Sequence, residues 1–133
     1  MSSERKVLQH KVIPCKWFPF KPYSAITLYK WIIVRKDYLE KVKGTNVWLE
    51  LLNHEKIHLA QIQELIELRG STFLGVMNFY LLYVGYFLKL WLFTKRKWDA
   101  AYRDIPFEFE AYSFDYDLSY LGRREPFRWK KYI

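Results

Sequence analysis

The stretch Asn53-His54-Glu55-Lys56-Ile57-His58-Leu59-Ala60-Gln61 decides how the rest of this chain is read. At its centre is H-E-x-x-H, from His54 to His58. On a helix, positions four apart share one face. Both imidazoles can then converge on one tetrahedral zinc, with Glu55 beside the water that such an ion activates. The spacing therefore points to a zinc site with hydrolytic chemistry. The chain has three histidines, and two of them are here.

The flanks give the motif its helix. From Asn46 to Arg69, Leu51, Leu52, Leu59, Ile62, Leu65 and Ile66 recur at three- and four-residue spacings. Thr45 or Asn46 can cap the start. Arg69 followed by Gly70 is a stop signal, with a cation in the last turn and then a residue that tolerates left-handed backbone. His54 and His58 fall mid-helix, where the backbone is stiff.

Two histidines do not complete such a site, because a catalytic zinc usually has three protein ligands and one open position. His10 lies in a polar stretch and reads as a surface residue. Cys15, the one cysteine, has no partner at metal-site spacing. A carboxylate is the better candidate. The segment Ile105-Pro106-Phe107-Glu108-Phe109-Glu110-Ala111-Tyr112 offers Glu108 and Glu110. It reads as a helix started by Asp104 and Pro106 and stopped by Gly122. Phe107, Ala111, Phe114, Leu118 and Leu121 form its apolar stripe, with Glu108, Tyr112 and Asp115 in the adjacent row. Both glutamates also suit a first helical turn, where the dipole favours anions.

H-E-x-x-H followed some fifty residues later by a helical Glu resembles the gluzincin class of zinc metallopeptidases. In that class the Glu is often followed at i+4 by Asp or another polar residue that supports a histidine ligand. The resemblance implies Glu108 as third ligand, with Tyr112 at i+4 in the supporting place. Glu110 would have Phe114 there and is the alternate. N-H-E-x-I-H-x-x-Q together with P-F-E-x-E-A-Y is also similar to a set of short, uncharacterised bacterial zincin-like proteins. That likeness runs loosely from Ala25 to Tyr120. It implies a fold and a metal, and no substrate.

Elsewhere, residues 1–24 read as irregular, broken by Pro14, Pro19 and Pro22. Ala25 to Lys36 is β-branched and aromatic and reads as one strand or a hairpin. Asp37 to Thr45 is a polar connection with room for a helical turn. Phe73 to Phe93 is apolar apart from Asn78 and Lys89 and is long enough to span a bilayer. A span would put His54 and His58 on one side and Glu108 on the other. The segment is therefore expected to fold back along the metal helix, with an exposed face for a membrane, a partner or a dimer.

The 133 residues make one domain. The fold expected is α+β and zincin-like: a short N-terminal strand or hairpin, three main helices and a basic aromatic tail at 122–133. A net charge of +8 suits an anionic surface. The tail alternates Arg123, Arg124, Arg128, Lys130 and Lys131 with Phe127, Trp129 and Tyr132, which suits lipid headgroups better than nucleic acid, for which no motif is present. The single cysteine and the polar, basic Met1 to Lys11 give a cytoplasmic expectation, with the inner face of the membrane as a place of work. The expected function is zinc-dependent hydrolysis of a peptide or protein substrate, with Glu55 as general base. The alternatives are a silent zinc-binding protein and a membrane-peripheral interaction protein.

Overall fold

A computed structural model describes residues 10–19 and 23–133. The fold is α+β. A small sheet lies on one flank of a long central helix, and helices cover its other sides. The strands are β1 (Lys11–Cys15), β2 (Ala25–Leu28) and β3 (Trp31–Arg35), in the order β1-β3-β2. β2 and β3 form the expected hairpin, with Ala25 opposite Val34.

β1 corrects the reading of residues 1–24 as irregular. It pairs parallel to β3, with Pro14 opposite Val34. Proline cannot donate to a ladder, but β1 is an edge strand, and an edge tolerates it. Residues 1–9 and 20–22 lie outside the described residues. In β3, Ile32 and Val34 are buried while Trp31 and Arg35 are not, and this alternation lays the sheet on Leu59 of the central helix.

Helix α1 (Lys36–Val42) leads into the central helix α2 (Asn46–Arg69), whose bounds match the sequence pattern. Thr45 caps its start, and Gly70 ends it in the left-handed conformation at φ 71°. Helix α3 (Thr72–Leu88) follows at once, capped by Ser71, and runs on through a π-helical turn at Lys89–Phe93. It folds back along α2 as expected, so that Phe79 joins Ile62 and Leu65 in one core cluster. Gly75 allows this close approach. A Cβ there would lie 2.3 Å from the Ile66 Cα.

The third main helix is broken. After a separate short helix α4 (Trp98–Asp104), it comprises α5 (Pro106–Phe114) and α6 (Tyr120–Arg123), followed by a 3₁₀ turn at Arg128–Tyr132. The apolar stripe does not continue through Leu118, which is exposed. Asn53 of α2 braces the break. Its amide donates to the carbonyls of Phe114, Asp115 and Asp117 at 3.3, 2.9 and 3.0 Å. The carbonyls of Phe114 and Asp117 also accept i+3 turn bonds from the Asp117 and Tyr120 N–H groups, so turns replace the helical ladder there.

The basic aromatic segment 122–133 is part of the fold. Trp129 is 3% exposed and packs on Phe107 at 4.6 Å between ring centroids. Arg124 is buried between Glu64 and Glu110. Arg123, Lys130 and Lys131 remain exposed.

Candidate metal centre

The middle of α2 is buried on nearly every side, by the sheet, by α3 and by α5. It nevertheless carries Asn53, His54, Glu55, His58, Gln61 and Glu64, all buried. Polar groups in such a position need partners, because an unpaired buried donor or acceptor costs about 1–3 kcal/mol. Asn53, Gln61 and Glu64 are fully engaged by neighbouring elements. Among the described residues, the buried side-chain atoms without a hydrogen-bond partner are Glu55 Oε2, His58 Nε2 and Trp129 Nε1. Two of those three belong to H-E-x-x-H.

Helix α5 brings Glu108 to the histidines. Ile105 is extended, as a residue before proline must be, and Pro106 opens the helix. Glu108 then sits in the first turn, facing α2. Its Oε1 lies 2.9 Å from His54 Nε2, and its Oε2 lies 3.1 Å from His58 Nε2. The second contact is an ion pair that falls outside hydrogen-bond geometry. One ligand atom from each of the three residues falls within 4.8 Å of the others, and all three residues are buried. These residues can hold a metal ion: two imidazole nitrogens and a carboxylate around one point suit an ion with ligand distances of about 2.0–2.2 Å.

The supporting residues fix the rings. His54 Nδ1 lies 3.1 Å from Asp115 Oδ2. His58 Nδ1 lies 2.9 Å from Gln61 Oε1. In each ring the Nδ1 proton is taken up, which leaves Nε2 for an ion. Gln61 is itself held by donating to the Phe107 carbonyl and to Glu110 Oε1, both at 3.0 Å. The Tyr83 hydroxyl of α3 donates to Glu108 Oε2 at 2.6 Å.

Two expectations change here. The partner of His54 is Asp115, and Tyr112 only packs its ring edge-on to that imidazole at 4.5 Å. Asp115 lies seven residues after Glu108, two turns along the same face. Glu110, the alternate ligand, points the other way. It accepts from Tyr120, Gln61 and Arg124. Gln61, Tyr83 and Asp115 are the residues touching the cluster that the sequence did not assign. Gln61 had a visible signal, three residues beyond His58, as did Asp115 in the Glu108 row. Tyr83 had none, since only the packing of α3 brings it in.

Charge in the cluster is strongly coupled. Burial pulls the His54 pKa down, but its hydrogen bonds to Asp115 and Glu108 outweigh this and raise it to about 10. Burial opposes ionisation of Glu108, yet the two imidazoles hold its carboxyl well below the usual range. For Glu55 burial is the larger effect: the two imidazoles pull its pKa down without offsetting it, and the pKa is raised. In the metal-free protein the raised His54 pKa contributes stability in full below its unfolded value of about 6.5. That contribution is lost as pH climbs through about 10. An ion must displace that proton. Metal affinity is therefore expected to rise about tenfold or more per pH unit between pH ~6.5 and ~9, with about one to two protons released per ion. Calorimetry in buffers of different ionisation enthalpy measures the release, and pH-independent affinity would contradict this ligand set.

A cavity of about 510 Å³ opens above the cluster, with Glu55, His58 and Glu108 in its wall. The rest of the wall is mostly apolar, from Ile26 and Leu28 of β2, Phe79 and Val84 of α3, and Trp98 of α4. Thr27 of β2 is buried against the same site and donates to the Glu55 carbonyl at 3.4 Å. In comparisons with known proteins, the chain matches no family model, no curated protein and no solved structure.

Proposed function

We propose that this protein is a zinc-dependent metallopeptidase of the gluzincin kind, with His54, His58 and Glu108 as ligands and Glu55 as general base. One observation carries the reading: Glu55 Oε2 is buried without a hydrogen-bond partner at the wall of an apolar cavity, and His58 Nε2 beside it makes no hydrogen bond, only an ion-pair contact with the carboxylate that also meets His54. Such unpaired groups are kept where function uses them. Two histidines and a glutamate with one open side are the donor set of several catalytic zinc sites.

Bound zinc supplies a Lewis acid for the substrate carbonyl and lowers the pKa of its water. Glu55 accepts the proton of the attacking water and delivers it to the leaving amine. Asp115 and Gln61 keep the imidazoles in one tautomer. The mostly apolar wall excludes bulk water, which strengthens each of these interactions. β2 borders the cavity as an edge strand, and an extended peptide can pair along such an edge.

Purified protein is expected to bind about one zinc per chain. His54→Ala should lose stoichiometric metal, and Asp115→Asn should weaken it roughly 10–100-fold. Elemental analysis after dialysis reads both. Full zinc occupancy in His54→Ala would sink the metal site. A zinc-loaded wild type that cuts nothing in a broad mixture of capped peptides would sink the peptidase.

A further inference from the structure

Helix α3 and its π-turn have two unlike sides. The inner side carries Gly75, Phe79 and Tyr83 against α2 and the metal cluster. The outer side exposes Phe73, Met77, Leu81, Leu88 and Leu92. Thr72–Phe93 is long and apolar enough to cross a bilayer, and only 11% of its 18-residue apolar window is buried. Crossing is ruled out by its neighbour. α2 packs alongside and carries Lys56, Glu67 and Arg69, which a span would drag into lipid at high cost.

The basic end of this face names its occupant. Lys89, Lys95, Arg96 and Lys97 gather there, all exposed. Among the described residues Arg96 pairs with Asp104, while no ion pair engages Lys89, Lys95 or Lys97. At the same end Trp91 stacks on Phe87 and Trp98 meets both rings edge-on, 5.2 Å from Trp91, and both indoles are exposed. Apolar side, indole cluster and free lysines together describe a helix lying in a lipid interface. A second copy is a poorer fit, since two chains of +8 meeting through one face would repel.

The face is continuous with the candidate site. Val84 and Trp98 are half exposed, and both line the cavity above Glu55 and His58. We propose that α3 and the π-turn lie in the surface of an anionic bilayer, and that the cavity draws an apolar segment of its substrate from that layer. The second half rests on the peptidase reading, because it makes the cavity a substrate chamber. The first half stands without it.

Vesicles of phosphatidylcholine, with and without phosphatidylglycerol, test both halves, using wild type and His54→Ala with zinc content measured alongside. The expected result is sedimentation with anionic vesicles for both proteins, weakened by salt. Leu81→Asp with Leu88→Asp should abolish it. Lys89→Gln and Lys97→Gln should each weaken it roughly fivefold. A lipid with a photoreactive acyl chain should crosslink to the cavity wall at Ile26, Leu28 or Phe87. Crosslinks confined to Leu81, Leu88 and Leu92 overturn the cavity half. Folded protein that ignores anionic vesicles, binds neutral ones equally, or dimerises through Leu81 and Leu88 overturns the docking half. Because neither readout needs hydrolysis, a failed peptidase assay leaves both outcomes interpretable.

Discussion

Glu55→Gln is expected to keep zinc at wild-type stoichiometry and to lose roughly 10²–10⁴-fold in turnover of any peptide the wild type cuts. The change is isosteric, so the cavity wall keeps its shape. It removes only the ability to take a proton. Glu55 is no ligand in this geometry: its Oε2 has no partner, while Glu108 gathers both imidazoles. The variant has a second signature. Burial raises the Glu55 pKa, so at neutral pH the unfolded chain ionises this group more readily than the folded one. That difference opposes folding above the unfolded carboxylate pKa of about 4.3. Metal-free Glu55→Gln should therefore melt higher than metal-free wild type at pH 7 and lose the advantage as pH falls to about 4.3. As the proposed general base, Glu55 would weaken its own fold, the usual trade between stability and activity. Unchanged turnover would remove Glu55 from the chemistry, and unchanged melting would remove the account of its burial.

The site was more legible in the sequence than the fold around it, for a local reason. His54, Glu55 and His58 belong to one helix whose caps and periodicity are all sequence-near, so their relative geometry follows from helical spacing. Glu108 was legible because Pro106 fixes where its helix starts and therefore which way the first turn faces. What closes the site was not local. Tyr83 reaches Glu108 only because Gly75 lets α3 settle onto Ile66. Asp115 continues the Glu108 face just past the end of α5, beside carbonyls that Asn53 of another helix engages. Periodicity carried the stripe on through Leu118, since no residue of the segment itself breaks it. β1 was hidden for the opposite reason. Pro14 reads as a break, and only the strand order, with β1 at an edge, makes it harmless. The tail was misread on composition. Arginines among aromatics suggest a solvated surface, whereas Glu64 and Glu110 are buried carboxylates that require a cation.

That requirement gives the second large effect. Arg124→Met is expected to destabilise the fold by about 3–5 kcal/mol, because it removes one partner of a buried ionic group and strands the others. Arg124 donates from Nε to Glu110 Oε2 at 2.6 Å and from a terminal amine to Glu64 Oε1 at 2.8 Å. Burial already pushes the Glu64 pKa up, and the hydrogen bond from Arg124 is what holds it down. Without the arginine that pKa moves further above its unfolded value of about 4.3. A carboxylate raised in this way opposes folding above its unfolded pKa and ceases to do so below it. The deficit of the variant should therefore be full at neutral pH and shrink as pH falls toward ~4.3. Glu110 also accepts from Gln61, which holds His58 Nδ1, so the same arginine stands behind a metal ligand. Zinc affinity should fall along with stability, by roughly 10–100-fold where the variant still folds. Adding Glu64→Gln and Glu110→Gln to Arg124→Met removes the stranded charges and should restore part of the stability. A single Arg124→Met that melts like wild type at pH 7 would show the segment from Arg124 to Tyr132 to be the loose basic tail that composition alone suggests.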